Sequence, residues 1–363
     1  MNRIRNRIRK ALAITLLPMG LLVGCDAATE LTSGSDDSLR LDESWPKYPD
    51  NMVFEMGSGV AVDADGIVYL FTRDIEHWAA HPLAMKEKMG KSTVSMFRKD
   101  GQYLGKWGPS DDRGFALGAH TIYIDQNGKF WVTDRDGHMA KQFEPDGTPL
   151  LSLGTFATPG DDGTHFNGPT SVVVQNNGNI VVGDGYWNSR LVFFTPEGEF
   201  IKEVGTWGRA PGEFNTVHAM AQTADGRLLV ADLCGGNLHS YMTVPGQIAN
   251  HRNTREEDCE SRIQVLDENG DYIETWDSVS PLSLAVYGDK VYASDAASHL
   301  AILDDQTGEV LDRFEDIAVF VHQMALAPNG DIYAASVYPE RAGHKRGTEG
   351  PSHRRWTREP LSQ

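Results

Sequence analysis

The sequence predicts an all-β fold, a six-bladed β-propeller, and three observations carry this prediction. From residue 57 onward the chain repeats a unit of apolar strand, D/N-G turn and second apolar strand, six times at intervals of 42 to 62 residues. A third and a fourth strand joined by a hairpin turn follow in most units, as in EPDGTPL and TPEGEFI. No helical periodicity separates the units. Repeats of this length, with four strands and no helix, are typical of propellers.

A glycine marks the turn of each unit, and the strand after it is strongly apolar. The strands after the turns read IVYLFTR, KFWVTDR, NIVVGDG, RLLVADL, KVYASDA and DIYAASV. The sixth unit lacks obvious later strands. We expect SHRRWTRE near the C-terminus to supply its third strand and WPKYPDNMVF, from residue 45, to close the ring as an outer strand. The turn glycines are Gly66, Gly128, Gly178, Gly226, Gly330 and, in a shortened copy, Gly288.

The first residues are typical of an export signal. MNRIRNRIRK is basic, ALAITLLPMGLLVG is a short apolar run, and Cys25 follows directly. LVGC, residues 22–25, resembles a bacterial lipobox. It implies a signal peptide over residues 1–24, lipid attachment to Cys25, and a lipoprotein at the periplasmic face of a bacterial membrane. The alternative is a plain secretory peptide with an incidental cysteine. Residues 25–45 are acidic and polar, which predicts a flexible tether and leaves 46–363 for the propeller.

The charge of the chain excludes some partners. The formal net charge is −18, and the first 24 residues hold five basic and no acidic side chains, so the exported chain would be near −23. That charge argues against nucleic acid and against contact with anionic lipid other than through the anchor. We expect a monomer.

Two units carry insertions, near residues 74–93 and 234–259, and insertions of this kind often carry function. The second insertion is bounded by Cys234 and Cys259. In an oxidising periplasm this pair predicts one disulfide. Two free thiols are the alternative.

Three of the predicted first strands carry a histidine at the same place in the repeat. His120 in AHTIYIDQNG, His218 in VHAMAQTADG and His322 in VHQMALAPNG each stand eight residues before the turn glycine. The first strand of a propeller blade is innermost, so these side chains should face the central channel. They belong to the second, fourth and sixth units, and alternate blades of a six-fold ring are related by a threefold rotation. We therefore expect the three imidazoles to converge on one point.

Three imidazoles with an open fourth position are the usual arrangement of a catalytic zinc. Imidazole ligands favour zinc, iron, nickel or copper over calcium or magnesium, and zinc is the predicted cofactor. The other units hold Ser58, Thr170 and Leu282 at about this position, so the repeat has no general need for histidine there. The alternative is a set of hydrogen bonds from blade to blade without a metal.

Several segments, taken in order, resemble the peptidyl-α-hydroxyglycine α-amidating lyase family, a six-bladed propeller of NHL-type repeats. They are GVAVDADGIVYLFTR, HTIYIDQNGKFWVTD, HFNGPTSVVV with GDGYWNSR, and VHAMAQ with LLVAD. The resemblance covers nearly all of residues 57–338. It implies that the three histidines hold zinc, that Tyr186 is the catalytic tyrosine and that Arg73 is a catalytic arginine. Packing of Tyr186 on the next blade and a surface ion pair of Arg73 are the alternatives.

The family's reaction splits a carbinolamide, a C-terminal α-hydroxyglycine, into an amide and glyoxylate. A metal would polarise the substrate oxygens as a Lewis acid. Tyr186 could act as the base, and Arg73 could hold the substrate carboxylate or stabilise the ionised tyrosine. A small molecule or a peptide C-terminus would be the substrate.

The chain departs from the family pattern at several positions. A second catalytic arginine should follow the Asp of LLVAD, where this chain has Leu233. The acidic residue that helps to bind a structural calcium is Gln323 here, so calcium is not predicted. The cysteine beside the tyrosine is Trp187, and its partner position is Asn167. These departures leave the zinc site intact and the substrate open.

Two other functions compete with a lyase. NHL propellers also serve as binding or scaffolding modules, which would hold no stoichiometric metal and would use the insertions as contact loops. A propeller lactonase or esterase is a weaker alternative, because such sites bind calcium through Asp, Glu and Asn rather than through three histidines.

Overall fold

The computed structural model describes residues 30–31, 39–49, 56–73, 93–108, 118–234, 260–295, 299–315, 321–336 and 353–357. The side chains of residues 30, 31, 56 and 73 lie outside this description. Within these ranges the regular structure is 25 β-strands arranged in six sheets. No helix in the described part of the chain is both long and apolar enough to cross a membrane.

The predicted six-bladed propeller is confirmed: the six sheets are antiparallel blades, and each is ordered from the innermost strand outward. Blade 1 holds β3 (Met56–Val62), β4 (Val68–Arg73), β5 (Thr93–Phe97) and β6 (Tyr103–Trp107); blade 2 holds β7 (Ala119–Ile124), β8 (Phe130–Asp134), β9 (Met139–Phe143) and β10 (Pro149–Gly154). Blade 3 holds β11 (Ser171–Val174), β12 (Ile180–Asp184), β13 (Arg190–Phe194) and β14 (Phe200–Val204); blade 4 holds β15 (Val217–Gln222), β16 (Leu228–Asp232), β17 (Arg262–Leu266) and β18 (Tyr272–Trp276). Blade 5 holds β19 (Ser283–Tyr287), β20 (Lys290–Ser294), β21 (Leu300–Asp304) and β22 (Val310–Phe314); blade 6 holds β23 (Val321–Leu326), β24 (Ile332–Ser336) and β25 (His353–Thr357), followed outward by β2 (Leu39–Leu41) and β1 (Glu30–Leu31).

The six blades form a closed ring around a central axis. The first strands of neighbouring blades contact one another all the way round, from β3 through β23 and back to β3. Each interface between two neighbouring blades, called a seam below, contains one cluster of buried apolar side chains among the described residues. The core is therefore divided among the seams.

The second strand of each blade explains the apolar runs in the sequence. In blades 2, 3, 4 and 6 all five residues of this strand are buried. A neighbouring blade covers each face of the strand, so its side chains do not alternate between core and solvent. The six turn glycines that precede these strands all have left-handed backbone conformations, with φ from 62° to 94°.

The sixth blade is completed by both ends of the chain. β25 pairs with β24, as SHRRWTRE predicted, and β2 pairs with β25 on its outer side. The predicted outer strand from residue 45 is wrong: Leu39–Leu41 takes that place, and Trp45 instead packs into the seam between blades 6 and 1. The predicted boundary at residue 46 is accordingly too late. The buried Leu39 side chain contributes about 2 kcal/mol of apolar burial, which a flexible tether would forgo.

Arg355 joins the two chain ends to the neighbouring blade. Its guanidinium lies 2.9 Å from a carboxylate oxygen of Asp42, before blade 1, and 2.5 Å from one of Asp331, in blade 6. It also donates to the backbone oxygen of Lys99 in blade 1, at 3.0 Å. All three charged side chains are largely buried, so the closure contains a network of two carboxylates around one cation.

The same closure makes stability depend on pH through His353. This side chain is 1% exposed, and the hydroxyl of Tyr48 lies 2.9 Å from its Nδ1. Burial lowers the pKa of His353 from 6.5 to about 3. Between those values the unfolded chain binds a proton that the folded chain does not, so the free energy of unfolding falls as the pH falls. From pH 7 to pH 4.5 we expect this group to cost on the order of 2 kcal/mol.

Urea unfolding of the wild type and of His353→Gln at both pH values tests this expectation. Glutamine can still accept a hydrogen bond from Tyr48 but does not titrate. The variant should lose less stability than the wild type between pH 7 and pH 4.5. Equal losses would show that His353 does not carry the effect.

Candidate metal centre

The three predicted histidines lie on innermost strands of alternate blades. His120 is on β7, His218 on β15 and His322 on β23, and all three are buried. Each lies at a β-bulge in the pairing with the next strand. His218, for example, falls between Val217, opposite Asp232, and Ala219, opposite Ala231. A bulge inserts an extra residue and redirects its side chain, which here turns the imidazole toward the axis.

Each histidine forms the same hydrogen bond across the seam to the following blade. His120 Nδ1 lies 2.7 Å from the backbone oxygen of Thr170, and His218 Nδ1 lies 2.7 Å from that of Leu282. His322 Nδ1 lies 2.6 Å from the backbone oxygen of Ser58. The positions that lack histidine thus supply the acceptors, and the predicted threefold relation extends to the groups that support the imidazoles.

These hydrogen bonds determine the chemistry of the other ring nitrogen. A carbonyl oxygen only accepts, so each Nδ1 carries the proton and each neutral imidazole presents an unprotonated Nε2. The ring centroids are 4.5 to 5.1 Å apart, and one nitrogen from each residue lies within 4.8 Å of the others. Ligand nitrogens on one tetrahedral zinc stand about 3.3 Å apart. The three residues therefore fit a transition metal after a small inward movement.

The two sequence-based interpretations of the histidines turn out to be compatible. Hydrogen bonds do run from blade to blade, as the interpretation without a metal required. Such bonds to the distal nitrogen are also the usual support of metal-binding histidines, because they orient the ring and raise its basicity. Among the described residues, these three form the group of His, Cys, Asp and Glu side chains that could hold a metal ion.

Tyr186 lies beside this cluster on the turn that follows β12. It is 7% exposed, and its hydroxyl oxygen is 3.1 Å from His120 Nε2. Because Nε2 has no proton, the phenol donates this hydrogen bond. If His120, His218 and His322 held a metal, the Tyr186 hydroxyl would lie close to it and could take part in proton transfer there. The structure thus places Tyr186 beside the three histidines, and its catalytic role stays a prediction.

The turn that carries Tyr186 is held rigidly. Asp184 is fully buried and accepts hydrogen bonds from the Asn167 backbone, at 2.7 Å, and from Arg190 Nε, at 3.0 Å. Burial raises the pKa of this carboxyl, and the charge of Arg190 opposes the rise. The Trp187 backbone donates to the Asn167 oxygen at 3.2 Å. Backbone pairing therefore joins the two positions where the family pattern has a pair of cysteines.

The sequence analysis did not single out Arg135, which also belongs to this region. It follows β8 directly, is 6% exposed, and its Cζ lies 5.4 Å from the centre of the Tyr186 ring. Asp136 holds it through Nε at 2.7 Å and Nη2 at 2.9 Å. The signal available in the sequence was its place in the repeat, fifteen residues after His120, as Leu233 stands fifteen residues after His218.

The remaining predicted residues are only partly described. Arg73 ends β4, with its backbone opposite Met56, and its side chain lies outside the described residues. Cys25, Cys259 and most of both insertions also lie outside them. Cys234 follows blade 4's second strand, and its backbone donates to the Ser261 hydroxyl at 2.9 Å. The disulfide, the lipid attachment and the role of Arg73 stay predictions.

The Gln323 side chain lies at the axis and links three blades. Its Oε1 accepts hydrogen bonds from the backbones of Val60, at 3.1 Å, and Ile122, at 3.2 Å, and its Nε2 donates to the Ile122 oxygen at 2.8 Å. A Cβ on Gly59 would lie 2.7 Å from this Oε1, so glycine is needed there. A calcium ion does not fit this donor set, because an N–H points at the carbonyl and the amide oxygen already accepts two bonds.

Gln323→Leu should therefore destabilise the ring by about 2 kcal/mol, because backbone polar groups of Val60 and Ile122 lose their partner while still buried. Calcium in millimolar excess should leave the Tm of the wild type unchanged. Thermal and urea unfolding measure both effects. A clear rise of the wild-type Tm with calcium would show that the axis takes the ion after all.

Fold and site together define a six-bladed β-propeller whose axis carries three histidines from alternate blades beside a buried tyrosine. No family model matches the sequence. The chain is 27% identical over 339 residues to peptidyl-glycine alpha-amidating monooxygenase A of Xenopus laevis, with 85% of this chain and 34% of that protein covered. It is 26% identical over 303 residues to a probable peptidyl-alpha-hydroxyglycine alpha-amidating lyase of Caenorhabditis elegans, with 78% and 80% covered. NHL repeat-containing protein 3 of Homo sapiens is 29% identical over 205 residues, with 53% of each chain covered.

The chain is thus a homologue of proteins named as peptidyl-α-hydroxyglycine α-amidating lyases, as the resemblance predicted. It spans about a third of the length of the two Xenopus proteins that it matches. Among solved structures, a gluconolactonase from Xanthomonas campestris superposes with a TM-score of 0.56 at 13% identity, with 93% of this chain and 98% of that one covered. At that identity the superposition shows the propeller fold alone.

Proposed function

We propose that the protein is a zinc-dependent lyase that cleaves the C–N bond of a carbinolamide, a C-terminal α-hydroxyglycine, to give an amide and glyoxylate. One observation carries the proposal: the hydroxyl of Tyr186 lies 3.1 Å from Nε2 of His120, the nitrogen that would bind the metal. An ionisable hydroxyl and a set of candidate metal ligands thereby share one buried site. The homology to named amidating lyases supports the same reaction class.

The residues of the chain divide the work of this reaction. The histidines are neutral and buried, and their Nδ1 atoms are fixed by backbone oxygens. They are therefore oriented to bind a metal after the small inward movement described above. A zinc held there would supply Lewis acidity toward the oxygen atoms of the substrate.

Tyr186 moves the proton. As the phenolate it takes the proton of the substrate hydroxyl, and the resulting C–O electron pair forms the carbonyl of glyoxylate while the C–N bond breaks. The C–N electrons go to nitrogen, which recovers the proton from the Tyr186 hydroxyl and leaves as the amide. Atoms and charge balance without an oxidant or a co-substrate. The buried position of Tyr186 keeps bulk water away from this transfer.

Glyoxylate release from an N-acyl-α-hydroxyglycine tests the proposal. We expect release by the zinc-loaded protein, loss of release after chelation, and a loss of at least about 100-fold in Tyr186→Phe, in line with removal of a general base. Tyr186→Phe keeps the ring between His120 and Trp187 and should retain its zinc. Zinc-loaded wild type that releases no glyoxylate would contradict the proposed reaction.

We also propose that the protein is exported and anchored by lipid on Cys25, from the lipobox-like residues 22–25. Cell fractionation with a Cys25→Ser variant tests this. Wild type should follow the membrane fraction, and the variant should lose that association. Equal distribution of the two would contradict the anchor.

A further inference from the structure

We propose that Arg135 receives the carboxylate of the substrate, and that this arginine makes the site selective for substrates with a free carboxylate beside the carbon that is cleaved. This inference rests on the proposed function. It concerns a residue for which the family resemblance predicts no role.

The first support is the position of the guanidinium. Arg135 Cζ is 5.4 Å from the centre of the Tyr186 ring, and that ring is 5.3 Å from the ring of His120. One aromatic ring therefore separates the cation from the histidine cluster. A substrate oxygen near the cluster and a carboxylate near Arg135 would place the cleaved carbon next to the Tyr186 hydroxyl.

The second support is the burial of a charged pair at this point. The side chains of Arg135 and Asp136 are 7% and 9% exposed. A buried ion pair loses much of its Coulomb energy to desolvation and is weak evidence for a stabilising role. A substrate carboxylate entering the same buried region needs a cation, because an isolated buried charge is strongly unfavourable.

The third support is the pseudo-threefold relation of the blades. The Arg135 backbone donates to the Gly118 oxygen at 2.9 Å, and the Leu233 backbone donates to the Thr216 oxygen at 2.9 Å. Both residues follow the Asp that ends the second strand of a histidine-bearing blade. Arg135 thus occupies in blade 2 the position that Leu233 occupies in blade 4, turned about the axis.

Leu233 stands where the family pattern would put an arginine. The equivalence of Leu233 and Arg135 therefore concerns a position at which this chain departs from that pattern. Blade 2 carries a buried cation at the equivalent position, and that cation lies against Tyr186. The turn that carries it is firm, because Asp134 accepts the backbone N–H groups of Gly118 at 2.8 Å and Gly137 at 2.9 Å.

The test compares Arg135→Gln with wild type on an N-acyl-α-hydroxyglycine and on its methyl ester, both with zinc-loaded protein. For the acid, kcat/KM should fall by about 100-fold, the scale of losing a charge-assisted contact in a buried site. For the ester it should fall only a few-fold, so the preference for the acid collapses. Arg135→Lys should recover part of that preference. A fall by the same factor for both substrates would assign Arg135 a merely structural role.

Arg313→Gln is the matched control, because it removes the same charge from the outermost strand of blade 5, where the side chain is exposed. It should leave both rates and their ratio at wild-type values.

Binding of N-acetylglycine and its methyl ester, measured by calorimetry, separates this inference from the proposed function. If wild type prefers the acid and Arg135→Gln does not, Arg135 receives carboxylates even when no glyoxylate is released. If glyoxylate is released but the preference survives in Arg135→Gln, the lyase stands and the inference fails.

Discussion

The His218→Ala variant should bind zinc at least about 100-fold more weakly than wild type, since loss of a supporting hydrogen bond alone costs 10- to 100-fold and loss of a ligand costs more. Glyoxylate release should fall with the metal. His218 is the most informative of the three histidines, because His120 also bonds Tyr186 and would disturb two functions at once. Its Nδ1 bonds the backbone oxygen of Leu282 at 2.7 Å.

Metal content after dialysis and the absorption spectrum of the cobalt-substituted protein measure this effect without reference to activity. His165→Ala is the control, because that histidine lies on the partly exposed loop between blades 2 and 3 and bonds Asp162. The control should keep one equivalent of metal. If His218→Ala also keeps one tightly bound equivalent, the cluster is not the metal site. Thermal unfolding of both variants identifies a failure to fold.

Arg355→Met should reduce the free energy of unfolding by about 3 kcal/mol, the second large effect that we expect. Removing one partner of a buried charge network leaves the other charges buried without compensation. Here two carboxylates, Asp42 and Asp331, would remain side by side at the point where the ring closes. Methionine keeps much of the length of the stem, so loss of packing contributes little.

Urea unfolding at pH 7 measures the loss, and a triple variant identifies its cause. Arg355→Met combined with Asp42→Asn and Asp331→Asn removes all three charges and should recover more than half of the stability lost in the single variant. A single variant within about 0.5 kcal/mol of wild type would mean that the network contributes nothing to closure.

Much of the fold was predictable from local signals in the sequence. The D/N-G turns and the apolar second strands recur because each blade needs one tight turn and one doubly covered strand. The closing strand was not predictable in the same way. Leu39–Leu41 is three residues long and lies in a polar segment, and its pairing with β25 joins residues more than 300 positions apart. The polar composition of this segment favours a flexible tether. The segment forms a strand because β25 offers it a pairing partner.

Some features of the candidate site were predictable from the sequence, and others were not. The histidines were predictable because their spacing repeats and because the threefold relation follows from six blades. The bulges that aim them depend on pairing register, which the residue pattern does not reveal. Arg135 was missed because one arginine after a strand has no distinguishing pattern. Arg135 belongs to the site because it contacts the ring of Tyr186, which belongs to another blade and is 51 positions away.

The hydrogen bonds from the three histidines cross three of the six seams, and one of these is the seam between blades 6 and 1, where His322 reaches Ser58. That seam lies beside the sheet in which the first and last strands of the chain meet. A metal held by all three imidazoles would bind the closed ring better than an opened one, and its binding would therefore stabilise the closed ring. Because such coupling is reciprocal, opening of the ring at its termini would weaken metal binding, and loss of the metal would make that opening easier. The proposed metal site would thus couple binding of the metal to closure of the ring.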